Sequence, residues 1–186
     1  DIVEEIESVG GHLNAYTSRE QTAYYAIVLK ENTELALDLL ADILQHSIFD
    51  EEELERERAV VIQEIGQAHD TPDDRVFDHF QLAAFPNQPL GRPVLGGSDT
   101  VGTMPRERIM QHMQSGYGGD RMVLAAAGNV DHESFVAHAR RLFDSVPANG
   151  NVVMEPGQYS GGAHLEDRDL EQVHLLLGFP GSVSYT

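Results

Sequence analysis

The stretch Glu51–Asp70, EEELERERAVVIQEIGQAHD, tells more about the fold than any other part of the chain. Asp50 stands where an N-cap belongs, no Pro or Gly intervenes before Gly66, and the residues between favour helix. A long helix over residues 50–68 is predicted, broken by Asp70-Thr71-Pro72-Asp73. Its acids do not all fall on the face that a solvated helix would offer. Glu57 and Glu64 are nearly two turns apart and share a face with Val60, Val61 and Ala68, so both are expected to be at least partly buried. A buried carboxylate stays charged only beside a cation, a metal or a hydrogen-bonding network. By this pattern alone, a salt bridge to Arg58 or another basic residue is the commoner arrangement, ahead of a metal.

Outward from this helix, the preceding residues read as helix, hairpin and helix. Ile2, Val3, Ile6 and Val9 have helical spacing, and Gly10-Gly11 supplies a stop. Residues 12–16 and 22–29 are rich in aromatic and β-branched side chains around a polar Ser18-Arg19-Glu20 turn, which predicts an antiparallel hairpin. Asn32 or Thr33 can cap a helix through His46 with an apolar stripe of Leu35, Ala36, Leu39, Leu40, Ile43 and Leu44. After the long helix come a helix over 73–85 and a Pro- and Gly-punctuated loop through Gly97. A helix opened by Pro105, a buried strand over 122–127 and a helix over 133–143 capped by Asp131 complete the first part, residues 1–146. Residues 147–162 form a connector, and residues 163–186 resume with a strand over 173–179 as the start of a closing sheet segment. This order predicts an α+β fold, a mostly antiparallel sheet layered with helices.

Composition narrows the functional classes. With 12 Lys and Arg against 31 Asp and Glu, the formal net charge is -19, which disfavours nucleic acid as a partner. No apolar run approaches the roughly 18 residues of a membrane span. There is no Cys, so any metal must be held by His, Asp or Glu.

The run Ile6-Glu7-Ser8-Val9-Gly10-Gly11 followed by Asn14-Ala15-Tyr16-Thr17-Ser18-Arg19-Glu20-Gln21-Thr22 resembles a signature in which an I-E-x-x-G-G helix end precedes N-A-x-T-S-x-E-x-T. Ala36-Leu37-Asp38, Leu40, Phe49, the run from Glu55 to Ile65, Pro89-Leu90-Gly91 and Tyr117 follow in the same order. The family so resembled is the pitrilysin, insulinase and mitochondrial processing peptidase family of zinc peptidases, and its bacterial processing-peptidase branch in particular. The resemblance implies a truncated N-terminal peptidase domain with the α+β fold of that family's metallopeptidase half-domain.

It also implies a site. In this family two histidines of an H-x-x-E-H helix and a glutamate on a later helix bind zinc. Glu64 matches the third ligand, and Glu57 matches the catalytic-site acid that supports the metal from behind. Asn14 and Ala15 fall on the strand that in relatives runs along the cleft and pairs with extended substrate. On composition alone that segment reads equally well as a plain edge strand.

The chain departs from the pattern at one point. None of its nine histidines stands in H-x-x-E-H or any His-x-x-x-His spacing, and as isolated residues they read as surface or structural. The motif is expected about a dozen residues before Asp1, on the inverted zincin pattern. Zinc is therefore expected in the complete protein and not in this chain alone, where Glu64 is one ligand of three. The implied partners are an extended peptide substrate and a second homologous domain or subunit, as a homo- or heterodimer. The rival readings are a non-catalytic subunit used for assembly or substrate binding, and a plain acidic binding domain.

Overall fold

The computed structural model of the chain describes residues 2–148 and 156–181. Its elements are α1 (Ile2–Ser8), β1 (His12–Thr17), β2 (Thr22–Ile27), α2 (Thr33–His46), α3 (Glu51–Asp70), α4 (Pro72–Ala84), α5 (Ser98–Thr103), α6 (Arg106–Gly116) and α7 (His132–Phe143). The fold class is α+β, with helices predominating and an antiparallel β1–β2 hairpin as the sheet among the described residues.

The chain forms two compact units. One holds residues 1–17, 21–51 and 105–153, and the other holds residues 18–20, 52–104 and 154–186. In the first unit, Ile6 of α1 is 1% exposed and packs with Ala36 and Leu39 of α2, flanked by Ile2, Leu13, Ala26, Val28 and Leu35. Helix α2 thus buries much of the stripe read from its spacing, with Leu37 and Ala41 buried besides. Asp131 caps α7 as expected, its Oδ1 accepting from the Ser134 N–H at 2.9 Å. At α2 the N-cap is Asn32, but its side chain makes no capping bond, and the helix is entered from a 3-10 turn, Lys30–Asn32.

The end of α1 gives the Gly10-Gly11 pair its physical meaning. The Gly11 N–H donates to the Ile6 carbonyl and the Gly10 N–H to the Glu7 carbonyl, both at 2.9 Å, which is a Schellman motif. Gly10 holds the left-handed position at φ +70°. Gly11 is needed for a different reason: a Cβ there would lie 2.8 Å from Val28 Cγ1 and 2.9 Å from Ile6 Cγ1. The two glycines therefore let α1 stop and let β1 start against the core. Gly10→Ala is expected to cost about 1 kcal/mol through the left-handed backbone. Gly11→Ala is expected to cost about 1–3 kcal/mol through crowding. Urea denaturation of both variants checks that order.

Two strand expectations are corrected. Residues 122–127 are not a buried strand: Met122 has extended dihedrals, but Val123 is 93% exposed and the segment joins no sheet among the described residues. Residues 173–179 are likewise unpaired, with Val173, Leu175, Leu177 and Phe179 all exposed. Apolar composition favours burial, but a strand exists only where a neighbouring chain segment completes its ladder. Of the connector expected over 147–162, residues 149–155 lie outside the described residues.

In the second unit, residues of the 156–181 stretch are tied to α3 and α4 by polar contacts. The Ser160 N–H donates to the Ala84 carbonyl at 2.9 Å, Arg168 Nη1 to the His69 carbonyl at 2.7 Å, and His174 Nδ1 lies 2.9 Å from Asp73 Oδ1.

Candidate functional site

Helix α3 carries the acidic pair. Seven residues are 700° of helix, so the Glu57 and Glu64 side chains leave the axis within about 20° of each other. The expected burial is not met, for both are exposed. The inward stripe of α3 is Leu54, Arg58, Val61, Ile65 and Ala68, spaced four and three apart, and each glutamate immediately precedes one of its members. That offset turns the pair about 100° away from the packed side. Val60, on the glutamates' own face, is exposed too.

The Arg58 alternative also fails. Arg58 bonds the Glu55 carboxylate and spends the rest of its guanidinium on the carbonyls of Val101 and Met104. Among the described residues neither the Glu57 nor the Glu64 side chain has a hydrogen bond or ion pair. Two free carboxylates on one face, beside an exposed valine, form a surface suited to a cation or a covering partner.

The hairpin carries the other two residues. Asn14 pairs with Tyr25 and Ala15 with Tyr24 across β1–β2, and both Asn14 and Ala15 are exposed. The Ala15 N–H donates to the Asn14 side-chain oxygen at 2.8 Å. That contact ties the Ala15 N–H to a side chain that can turn away to solvent. Opposite Ala15, the Tyr24 hydroxyl lies 3.1 Å from the Tyr117 hydroxyl, their rings edge-on at 6.4 Å. Burial, and then that hydrogen bond, push the Tyr24 hydroxyl pKa well above its ordinary value, so it stays protonated. Tyr117 thereby braces β2 within the first unit.

Sequence reading missed one cluster in the second unit. His79 of α4, His164 and Glu166 each offer a ligand atom, and these atoms lie within 4.8 Å of one another. His79 Nε2 is hydrogen-bonded to Glu166 Oε2, and Arg75, one turn earlier on α4, lies 3.5 Å from the same oxygen. The hydrogen bond with His79 is the largest influence on the Glu166 carboxyl and, with a lesser contribution from the Arg75 charge, holds it below its usual range against the opposing effect of burial. For His79 and His164 the picture of isolated histidines is therefore corrected. They are 85 positions apart (164 less 79), so no local spacing could have joined them.

Residues 1–98 match the model of the insulinase family, peptidase family M16. The chain belongs to peptidase family M16. Residues 103–183 match a second model, the peptidase M16 inactive domain. The chain is 44% identical over 181 residues to a zinc protease of Rickettsia felis, covering 97% of this chain and 44% of that protein. It is 45% identical over 184 residues to the mitochondrial-processing peptidase subunit beta of Saccharomyces cerevisiae, covering 95% of this chain and 40% of that protein. Among solved structures, a protease from Helicobacter pylori matches with a TM-score of 0.76 at 20% identity, over 84% of this chain and 38% of the other. The peptidase M16 inactive domain from Pseudomonas fluorescens matches with a TM-score of 0.74 at 14% identity, over 84% of this chain and 39% of the other. The chain thus spans less than half the length of these M16 relatives. No helix among the described residues is long and apolar enough to cross a membrane.

Proposed function

We propose that the protein containing this chain is a zinc-dependent endopeptidase of the M16 family that cleaves unfolded or presequence-like peptides. The observation that carries the proposal is the Glu57–Glu64 face: two carboxylates two turns apart, exposed and unpaired, where the family pattern puts a metal ligand and its support. Such a donor set fits zinc, a cation that takes carboxylate together with imidazole. Glu64 would hold the ion and Glu57 would orient the site from behind. When bound, zinc lowers the pKa of a water toward about 7 and polarises the peptide carbonyl. The remaining ligands and the general base would come from an H-x-x-E-H segment preceding Asp1, so this chain by itself would not hydrolyse peptides. A second homologous domain or subunit would complete the enclosure around the substrate.

Asn14 and Ala15 would bind that substrate. Rotation of the Asn14 side chain frees the Ala15 N–H for an extended peptide, which would add to β1 as a strand. Ala15→Pro tests this directly. Because the acceptor of that N–H is an exposed side chain, proline should leave the thermal midpoint within a few degrees, as it does on strand edges. In the whole protein, KM for an extended peptide should rise about tenfold with the loss of a backbone bond worth roughly 1.4 kcal/mol. An unchanged KM with a folded variant would remove β1 from the substrate site. The broader proposal is tested by the zinc content of the whole protein and by peptide cleavage before and after EDTA. A metal-free, fully active protein, or a zinc-loaded protein inert to every unfolded peptide, would overturn it.

A further inference from the structure

The His79, His164 and Glu166 cluster plays no part in the reading above, and it has the composition of a metal site. Two imidazoles and one carboxylate are the donor set that borderline divalent ions such as zinc, cobalt and nickel select over calcium or magnesium. Each element has a definite origin. His79 is fixed on α4 with its side chain 15% exposed, while His164 and Glu166 reach it from the 156–181 stretch. The two rings are stacked at 3.9 Å between centroids and inclined by 21°, which sets His164 beside the His79–Glu166 pair.

Arg75 Nε lies 3.5 Å from the same Glu166 oxygen that His79 bonds, so two side chains of α4 hold that carboxylate in place. His164 has no hydrogen bond among the described residues, so neither of its ring nitrogens is committed to another partner. Glu166 is partly open, at 30% side-chain exposure, which leaves an entry path for an ion and room for a water as fourth ligand.

We propose that His79, His164 and Glu166 form a second divalent-metal site, distinct from the one that Glu64 would serve, for an ion of the zinc class. Its chemical effect is to clamp the 164–166 segment onto α4. The expectation that this chain alone lacks a zinc site counted only Glu64, and folding adds this cluster.

The test is calorimetric titration of the metal-stripped chain of 186 residues with zinc chloride, in excess calcium to mask the general attraction of a polyanion. One equivalent is expected to bind. His164→Ala and Glu166→Gln should each weaken it by about 100-fold, because each removes one of three protein ligands. Glu64→Gln should leave it unchanged. Cobalt in place of zinc should give visible absorption bands that His164→Ala abolishes. His164 is exposed and unbonded, so its truncation should preserve the far-UV circular dichroism; if Glu166→Gln perturbs the fold, His164→Gln replaces it. Absence of a bound equivalent, or zinc binding that survives His164→Ala and disappears in Glu64→Gln, would overturn the proposal. In that case the cluster is an ordinary His–Glu ion pair under a stacked ring.

Discussion

Glu64→Gln in the whole protein is expected to lower the zinc content by one equivalent and to abolish peptide cleavage, the two falling together. An amide oxygen is a poor zinc ligand and brings no charge to balance the cation, so the loss at the metal is the loss of the reaction. Glu57→Gln should behave differently. A residue that orients the site without touching the ion costs about 10 to 100-fold in affinity or activity, so zinc should remain at saturating metal while turnover drops. Because Glu57 and Glu64 are both exposed and unpaired, neither substitution breaks a packing or salt-bridge contact, and the thermal midpoint of the metal-free protein should hardly move. This makes the pair a clean comparison: activity loss without stability loss marks a role in the site. Glu57→Asp keeps the charge and should restore part of the turnover that the amide removes. If Glu57→Gln emptied the metal while Glu64→Gln kept zinc and activity, the two assignments would have to be exchanged. If neither mattered, the free carboxylates of α3 would be solvent-facing acids and the non-catalytic reading of the chain would gain.

What the sequence reveals here is mainly what its local interactions decide. The Gly10-Gly11 stop, the β1–β2 hairpin and the Asp131 cap were legible because each depends on residues a few positions apart. The turn of α3 about its own axis was not. Val60, Val61 and Ala68 form one plausible apolar stripe, while Leu54, Val61, Ile65 and Ala68 form another, and only packing chooses between them. The choice moved both glutamates from an expected interior to the surface, yet left them on a common face, which follows from spacing alone. The apolar content of residues 122–127 and 173–179 predicts strands, but it states a need for burial without naming the ladder partner. The His79–His164–Glu166 cluster was beyond reach, since its members meet only after α4 and the 156–181 stretch have packed. Glu57, Glu64, Asn14 and Ala15 stand out in the sequence as site residues only through family resemblance, and all four side chains are exposed.

Gly91→Ala is expected to be the most damaging single change in the second unit, at about 3 kcal/mol, although it adds only one methyl group. Helix α4 ends at Ala84, and Phe85 continues its hydrogen bonding by donating to the Gln81 carbonyl at 2.9 Å. The chain then folds back through Asn87, which holds φ +60°, into a 3-10 turn at Pro89–Gly91. The Gly91 N–H donates to the Gln88 carbonyl at 3.1 Å, and the return path brings Gly91 onto the end of α4. Gly91 is buried there, and a Cβ would run into the carbonyl oxygen of Phe85 and lie 3.3 Å from that of Gln81. Both obstacles are backbone atoms of a helix end, so no rotamer change relieves the overlap. Either the turn lifts, breaking the Gln88 and Pro89 bonds, or the last turn of α4 opens. Gly97 offers the control, since nothing lies within 4 Å of where its Cβ would be and its φ of -113° suits any residue. Gly97→Ala should therefore be neutral within about 0.5 kcal/mol. Urea titration of the two variants checks the difference, and equal stability would show that the approach of Gly91 to Phe85 is slack enough to absorb a methyl group.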